Sequence, residues 1–101
     1  MGVLIHTHSA RIESEGTVYE ASVHGAERAD GTWTGWLEFR AVPANGTIYR
    51  TGQETSQPSR HALEYWAGGL EPVYLEGALV RAFRNARGTN ANAQHAPPPG
   101  P

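Results

Sequence analysis

Apolar and polar residues alternate most regularly over residues 33–42. One side of this alternation carries Trp33, Leu37 and Phe39, while the other side is mainly polar. A period of two residues places successive side chains on opposite faces of a β-strand. Residues 17–24 show the same alternation. Both stretches are therefore predicted to be strands with one apolar face each.

Turn signals between the apolar stretches predict that the strands are joined as antiparallel hairpins. Asn45-Gly46 is the strongest signal, because both positions of a tight hairpin turn favour left-handed backbone angles. Further signals occur at Ser14-Glu15-Gly16 and at Asp30-Gly31. The predicted strands are residues 3–12, 17–24, 33–42 and 47–54.

A helix is predicted after these strands, where the apolar spacing changes from two residues to three or four. Ser56-Gln57-Pro58-Ser59 offers a capping hydroxyl followed by Pro in the first turn, where its missing N–H is harmless. The apolar positions that follow are Ala62, Leu63, Trp66 and Ala67. Gly68-Gly69 is expected to end the helix with a left-handed C-cap. A helix of about ten residues is too short to be stable alone, so it must pack on the sheet.

Residues 72–84 fit two elements. A strand would place Val73, Leu75 and Leu79 on one face, and the start of this stretch favours it. A second helix over residues 76–87 is the alternative, with arginines near its C-terminal end. With the strand, the fold is α+β: an antiparallel sheet of four to five strands, with one short helix packed on one face before the last strand.

The composition changes near residue 85. Residues 85–101 contain four of the seven prolines and no Leu, Ile, Val or aromatic residue. Such a segment buries too little apolar surface to offset its ordering entropy. One domain over residues 1–84 is therefore predicted, with a disordered tail over residues 85–101 in which residues 97–99 form polyproline II.

Composition removes several classes of function. The 101 residues carry a net charge of −2 and contain neither Cys nor Lys. Disulfides, Cys-ligated metals, thiol nucleophiles and Lys Schiff bases are therefore excluded. No apolar run approaches the roughly 20 residues of a membrane span. We expect a cytoplasmic protein without a cofactor, a metal or a membrane partner.

The second face of the predicted sheet is not cleanly polar. Val18, Trp36 and Val42 lie on the face away from the predicted helix. Either the sheet curls towards a barrel, or a second copy covers this face, or Trp36 is simply exposed. A homodimer formed through the sheet faces is predicted, because two-fold dimers are the commonest oligomers.

The segment from Arg50 to Arg60 is the candidate ligand site. It is dense in polar groups and leads into a helix N-terminus, which favours anions. Its guanidinium groups suit phosphate or carboxylate. The candidate ligand-binding residues are Arg50, Glu54, Thr55, Ser56, Ser59, Arg60 and His61.

Three other functions stay open on the sequence: catalysis, nucleic-acid binding and metal binding. A small hydrolase or isomerase would use His61 and Glu54 beside Arg50. Arg81, Arg84 and Arg87 would be the contacts of a weak nucleic-acid binder, although the net acidity of the chain argues against that function.

Metal binding rests on weaker signals. His6 and His8 are two residues apart and so point to one side of a strand. A zinc site needs further ligands, for which His24, His61 and Glu64 are the candidates. The pair His61 and Glu64 is weak evidence because the H-E-x-x-H pattern is absent.

Several runs resemble a group of short uncharacterised bacterial proteins. They are W-T-G-W-L-E-F at residues 33–39, R-T-G-Q-E-T-S-Q-P at 50–58, Y-W-A at 65–67 and L-E-P-V-Y-L-E-G-A-L at 70–79. The resemblance covers about residues 17–82 and implies no activity and no functional residue. The leading hypothesis from sequence is a non-catalytic, self-associating module that binds a protein partner or a small anionic ligand near the helix N-terminus.

Overall fold

Hairpins build the sheet in chain order, and two helices follow it. The computed structural model describes the backbone of residues 2–95 and the side chains of residues 2–87. The elements are β1 (Val3–Ser14), β2 (Thr17–Glu27), β3 (Trp33–Val42), β4 (Ile48–Arg50), β5 (Thr55–Gln57), α1 (Arg60–Gly68) and α2 (Pro72–His95). The predicted α+β class with an antiparallel sheet is confirmed.

The sheet order is β1-β2-β3-β4, and β5 also pairs with β3. The returning strand predicted over residues 47–54 is interrupted after Arg50. At that point the Thr51 N–H donates to the Leu37 carbonyl at 2.9 Å, while the Leu37 N–H donates to the Thr51 hydroxyl at 3.0 Å. A side-chain oxygen therefore replaces the backbone acceptor of the ladder, and the chain leaves the sheet until Glu54.

The core lies on one face of the sheet, as the alternation predicted. Val23 pairs with Leu37 and Ala21 pairs with Phe39, and all four side chains are fully buried. Both helices pack against this face. The opposite face of the sheet carries neither helix and is called the open face below.

A glycine pair seats α1 on the sheet. Gly25 and Gly35 lie opposite each other in neighbouring strands, and the buried Leu63 side chain rests on both. A Cβ atom on Gly25 would come within 2.5 Å of Leu63, and one on Gly35 within 2.7 Å. Only residues without a Cβ allow this approach, and the sequence pattern did not reveal the pairing.

The predicted caps of α1 are both wrong in detail. The N-cap is Ser59, whose hydroxyl accepts a hydrogen bond from the Ala62 N–H at 3.1 Å, while Ser56 lies in β5. At the other end Gly69 has φ −93°, so the C-cap is not left-handed. The Gly69 N–H instead donates back to the Trp66 carbonyl at 3.2 Å, which closes the last turn tightly.

The strand predicted over residues 72–84 is wrong, because Pro72 begins the long helix α2. Proline suits the first helical position, where it loses no hydrogen bond. Leu75, Ala78, Leu79 and Ala82 are buried at helical spacing. The alternative helix over residues 76–87 was nearer, although α2 starts four residues earlier.

The domain boundary predicted at residue 84 falls inside α2, which continues to His95. The end of the predicted tail, including residues 97–99, lies outside the described residues. Among residues 2–95, no helix has the length and apolar character needed to cross a bilayer.

Candidate functional site

A polar cluster centred on Glu38 occupies the open face. The Glu38 carboxylate accepts a hydrogen bond from the Trp36 indole N–H at 3.1 Å. The Arg50 guanidinium donates to the same oxygen from Nη2 at 2.9 Å and from Nε at 3.2 Å. His24 Nε2 lies 3.5 Å from the second oxygen. Although it is on the uncovered face, the Glu38 side chain is only 13% exposed.

These contacts determine the charge states of the cluster. Burial alone would raise the pKa of Glu38, but the Trp36 hydrogen bond, His24 and Arg50 together hold that pKa below its usual value. Burial lowers the pKa of His24, and Glu38 opposes this effect while Arg50 and Arg40 add to it. At neutral pH, Glu38 is therefore ionised and His24 is neutral.

The cluster does not have the geometry of a nucleophilic triad. The Ser22 hydroxyl is 3.0 Å from His24 Nε2, and the carboxylate approaches that same nitrogen. A serine–histidine–acid triad needs the acid on the other ring nitrogen, so that the imidazole can relay a proton. The arrangement orients the imidazole and can take part in binding, but it does not activate Ser22.

Trp36 is held from three sides. The Arg50 guanidinium lies 5.4 Å from the centre of the indole ring, and the His24 ring stacks at 6.4 Å with an angle of 17° between planes. A Cβ atom on Gly2 would overlap the indole ring, so the start of the chain also lies against it. Trp36 is thus a fixed aromatic surface on the open face.

The rest of the open face combines charged residues with apolar residues at its margins. Arg11, Glu20 and Arg40 lie side by side on β1, β2 and β3, so opposite charges alternate across the strands. Val18 and Val42, predicted as interface residues, pair directly and are half-buried. The structure therefore brings the predicted interface residues onto one surface, although their role in an interface stays a prediction.

The seven candidate ligand residues take separate partners. Arg50 pairs with Glu38 on the open face, while Arg60 pairs with Glu64 at 3.1 Å and lies over the Trp33 ring. Among the described residues, no side-chain hydrogen bond joins two of the seven. The structure therefore does not bring the segment together as one anion site.

The hydroxyl groups of the candidate ligand residues also have partners close by. Ser56 accepts a hydrogen bond from Arg28 at 2.8 Å, Thr55 accepts one from Gln57 at 2.7 Å, and Ser59 is the N-cap. His61 is exposed on α1. These residues organise the entry into the helix, which the sequence pattern could not separate from a ligand site.

Glu54 connects the β4–β5 segment to α2. It accepts hydrogen bonds from the Tyr74 hydroxyl at 2.5 Å and from two nitrogens of Arg81 at 2.7 and 2.9 Å, and its side chain is 8% exposed. Burial and the bond to Glu54 raise the pKa of Tyr74 to about 12. Burial would raise the pKa of Glu54, but its bonds to Arg81 and Tyr74 lower it overall.

These partners bear on the remaining sequence hypotheses. Glu54 is held by α2 and Arg50 by Glu38, so neither is paired with His61 as the enzyme hypothesis requires. Of the proposed nucleic-acid contacts, Arg81 is paired with Glu54, while Arg84 and Arg87 are exposed on α2.

His6 and His8 lie on one side of β1, as predicted, with ring centres 4.6 Å apart. His8 is buried, and within residues 2–87 its Nε2 has no hydrogen-bond partner. Burial, followed by the charge of His6, lowers the pKa of His8, and a backbone hydrogen bond with Ala67 opposes the shift. Among the described residues, no group of three or more His, Asp or Glu side chains could hold a metal.

A cavity of about 370 Å³ opens on the helix side of the sheet, beside the β1–β2 turn. Tyr19, Tyr49 and Phe83 line it, with Glu15 and Arg87 from the turn and from α2. The alternation over residues 17–24 puts Tyr19 on the face opposite Val18, but the sequence pattern did not connect these five residues. Only the docking of α2 brings them together.

Comparison with known proteins returned no matching family model, no matching curated protein and no matching solved structure. The resemblance to short bacterial proteins stays a prediction.

Proposed function

We propose that this protein is a non-catalytic module that forms a homodimer through the open face of its sheet. The observation that supports the proposal is the uneven cover of the sheet. Both helices pack on one face, while the other carries a fixed tryptophan, paired valines and a partly buried charge cluster. The cytoplasmic location expected from the sequence belongs to this proposal.

The charges of the open face favour a second copy of the same chain as the partner. By strand register the face carries three acidic and three basic residues: Glu13, Glu20, Glu38, Arg11, Arg40 and Arg50. A surface with balanced charges of both signs can meet its own copy without net repulsion, whereas a strongly charged partner would gain little from it.

The open face is somewhat smaller than a typical stable interface, and exposed apolar residues lie at its margins. Leu4 is 55% exposed and Ile48 is 51% exposed, at opposite ends of the face. Four strands that are spaced about 4.8 Å apart and are roughly 30 Å long present a face on the order of 600 Å² per copy. Stable interfaces bury about 800 Å² per partner, so we expect a dimer that dissociates on dilution.

Light scattering over a concentration series tests the proposal. The mass should approach twice 10.9 kDa at high concentration and fall on dilution. Val42→Glu places an unpaired charge on the open face and should give a monomer. Val73→Glu is the matched control, because Val73 is 74% exposed on α2, and it should dimerise normally. A mass near 10.9 kDa at every concentration would refute the proposal.

A further inference from the structure

The cavity beside the β1–β2 turn has an aromatic floor. The ring centres of Tyr19, Tyr49 and Phe83 are 4.8 to 6.1 Å apart, and each pair meets edge to face. These spacings are those of directly packed rings, so no ligand group fits between them. The three rings instead form a rigid surface against which a flat apolar group can lie.

The volume suits a small molecule. At about 370 Å³ the cavity falls within the range of roughly 300–1,000 Å³ that is typical of ligand sites. It lies on the helix side of the sheet, so it is separate from the open face. Occupation of the cavity and dimerisation through the open face are therefore independent properties.

The mouth of the cavity carries both signs of charge. Glu15 comes from the turn and Arg87 from α2, and both side chains are exposed. Within the described residues no ion pair joins them or gives either another partner. A carboxylate and a guanidinium at one opening can receive an ammonium and a carboxylate of the same ligand.

The backbone conformation of Glu15 also indicates that its side chain has a role beyond forming the turn. Glu15 has φ 51° and is followed by Gly16 with φ 84°, in a two-residue turn between Ser14 and Thr17. Such turns favour Asn, Asp or Gly at the first position. The glutamate is therefore not explained by the turn itself, but a role at the rim of the cavity would account for it.

We propose that this cavity binds a small aromatic zwitterion of the amino-acid type. The aromatic group lies against Phe83 and Tyr49, the carboxylate binds Arg87, and the ammonium binds Glu15. The hydroxyl of Thr17, which also lines the cavity, is a further hydrogen-bonding group for either charged end.

Titrations followed by ¹H–¹⁵N correlation spectra test the proposal with three probes. Free phenylalanine carries both charges, phenethylamine only the ammonium, and 3-phenylpropanoate only the carboxylate. Phenylalanine should shift the amide signals of residues 14–19 and 83–87. Each single-charge probe should bind at least about tenfold more weakly, because one charged hydrogen-bond partner is lost.

Matched variants separate the two charges. Arg87→Gln should weaken phenylalanine binding about tenfold without weakening phenethylamine binding. Glu15→Gln should also weaken phenylalanine binding about tenfold, but without weakening 3-phenylpropanoate binding. Arg84→Gln is the control, because Arg84 is on the same helix but does not line this cavity. Absence of shifts at millimolar phenylalanine, equal binding of the three probes, or equal effects of Arg84→Gln and Arg87→Gln would each overturn the proposal.

Discussion

Two glutamates on opposite sides of the sheet are held in the same way. Glu38 receives a hydrogen bond from the Trp36 indole and a double contact from Arg50, which also lies over the indole ring. Glu54 receives one from the Tyr74 hydroxyl and a double contact from Arg81, which lies 5.3 Å from the tyrosine ring centre. In both cases the arginine satisfies the carboxylate and stacks on the aromatic donor, so each buried charge has two partners that also support each other.

Replacing Glu54 tests the second of these clusters. Burial raises the pKa of Tyr74 most, and the hydrogen bond to Glu54 and the charge of Glu54 raise it further, to about 12. Glu54→Gln removes the charge, so that pKa should fall part of the way towards the ordinary 10. The free energy of unfolding should fall by about 1–2 kcal/mol, because hydrogen bonds to a charged group are lost. Absorbance titration at 295 nm and urea unfolding measure the two effects.

The matched control is Glu64→Gln, because Glu64 pairs with Arg60 at an exposed site on α1. Exposed pairs of this kind contribute about 0.3–0.5 kcal/mol, so the control should change little. An unchanged Tyr74 titration in Glu54→Gln would show that the carboxylate does not control that hydroxyl.

Because His8 is buried, we expect the protein to lose stability in weak acid. Its pKa in the folded state is lower than the ordinary 6.5, chiefly because burial disfavours the charged ring. The unfolded chain therefore binds a proton first as the pH falls, and stability is lost below about 6.5. Above that pH the contribution is complete. Glu38 and Glu54 also have lowered pKa values, but their contribution to stability is lost only as the pH falls below about 4.5. The loss of stability between pH 6.5 and 5 is therefore assigned to the histidines.

Urea unfolding at several pH values between 7.5 and 5 measures this effect. His8→Leu should reduce the loss of stability over the range, and the remaining slope belongs to His24, whose pKa is also lowered. His61→Asn is the control, because His61 is exposed on α1. Stability that is unchanged or higher at pH 5 in the wild type would contradict this assignment.

At the scale of elements, some of the sheet could be predicted because alternation and turn residues are local signals. The strands β1 to β3 and their turns lie close to where the sequence placed them. The last element could not be predicted in this way, because Leu75, Leu79 and Phe83 are four residues apart. That spacing keeps side chains on one face of a strand and also of a helix. Only Ala78 and Ala82, which are buried with them, distinguish the helix.

The Glu38 cluster could not be predicted because it depends on strand register. A two-residue turn at Asn45-Gly46 would pair Glu38 with Gln53. In the structure Pro43 to Thr47 form a longer connection, and Glu38 pairs with Arg50 instead. The pairing register differs by three residues from the one expected. Because three is an odd number, the difference also changes which residues of the returning strand share a face with Glu38. Local patterns contain no information on this register.

The seat of α1 on Gly25 and Gly35 can be tested by filling it. Gly35→Ala should lower the free energy of unfolding by about 1–3 kcal/mol, because the new methyl group would overlap Leu63. In a Leu63→Ala background, itself about 2–5 kcal/mol less stable, the same change should destabilise clearly less, since the overlap with Leu63 is gone and only the Thr55 methyl group remains close, at 3.0 Å.

Gly68→Ala is the control for that experiment, because nothing lies within 4 Å of the added atom. It should keep or raise stability, since alanine favours helix over glycine. Additive effects of Gly35→Ala and Leu63→Ala in chemical unfolding would argue against a direct contact.

For the whole molecule, the sheet serves two different surfaces. Its helix side holds the core and, beside the β1–β2 turn, the aromatic cavity. Its open side holds the Glu38 cluster. The β4–β5 segment connects both sides, because Arg50 contacts Glu38 on the open face while Glu54 contacts α2. A change in this segment is therefore expected to affect both surfaces, whereas changes at Val42 or Arg87 should each affect only one.

The extent of the folded unit can be tested by shortening the chain. The Asn85 side chain donates a hydrogen bond to the Arg50 carbonyl at 2.9 Å, and Ala86 and Arg87 line the cavity. A chain that ends after Arg84 should thus lose about 1 kcal/mol of unfolding free energy, roughly one hydrogen bond. A chain that ends after Arg87 keeps these contacts and should unfold within about 0.5 kcal/mol of the full chain. Urea unfolding of both chains decides where the domain ends: equal stability would support the boundary predicted at residue 84, and a loss in both would place it beyond Arg87.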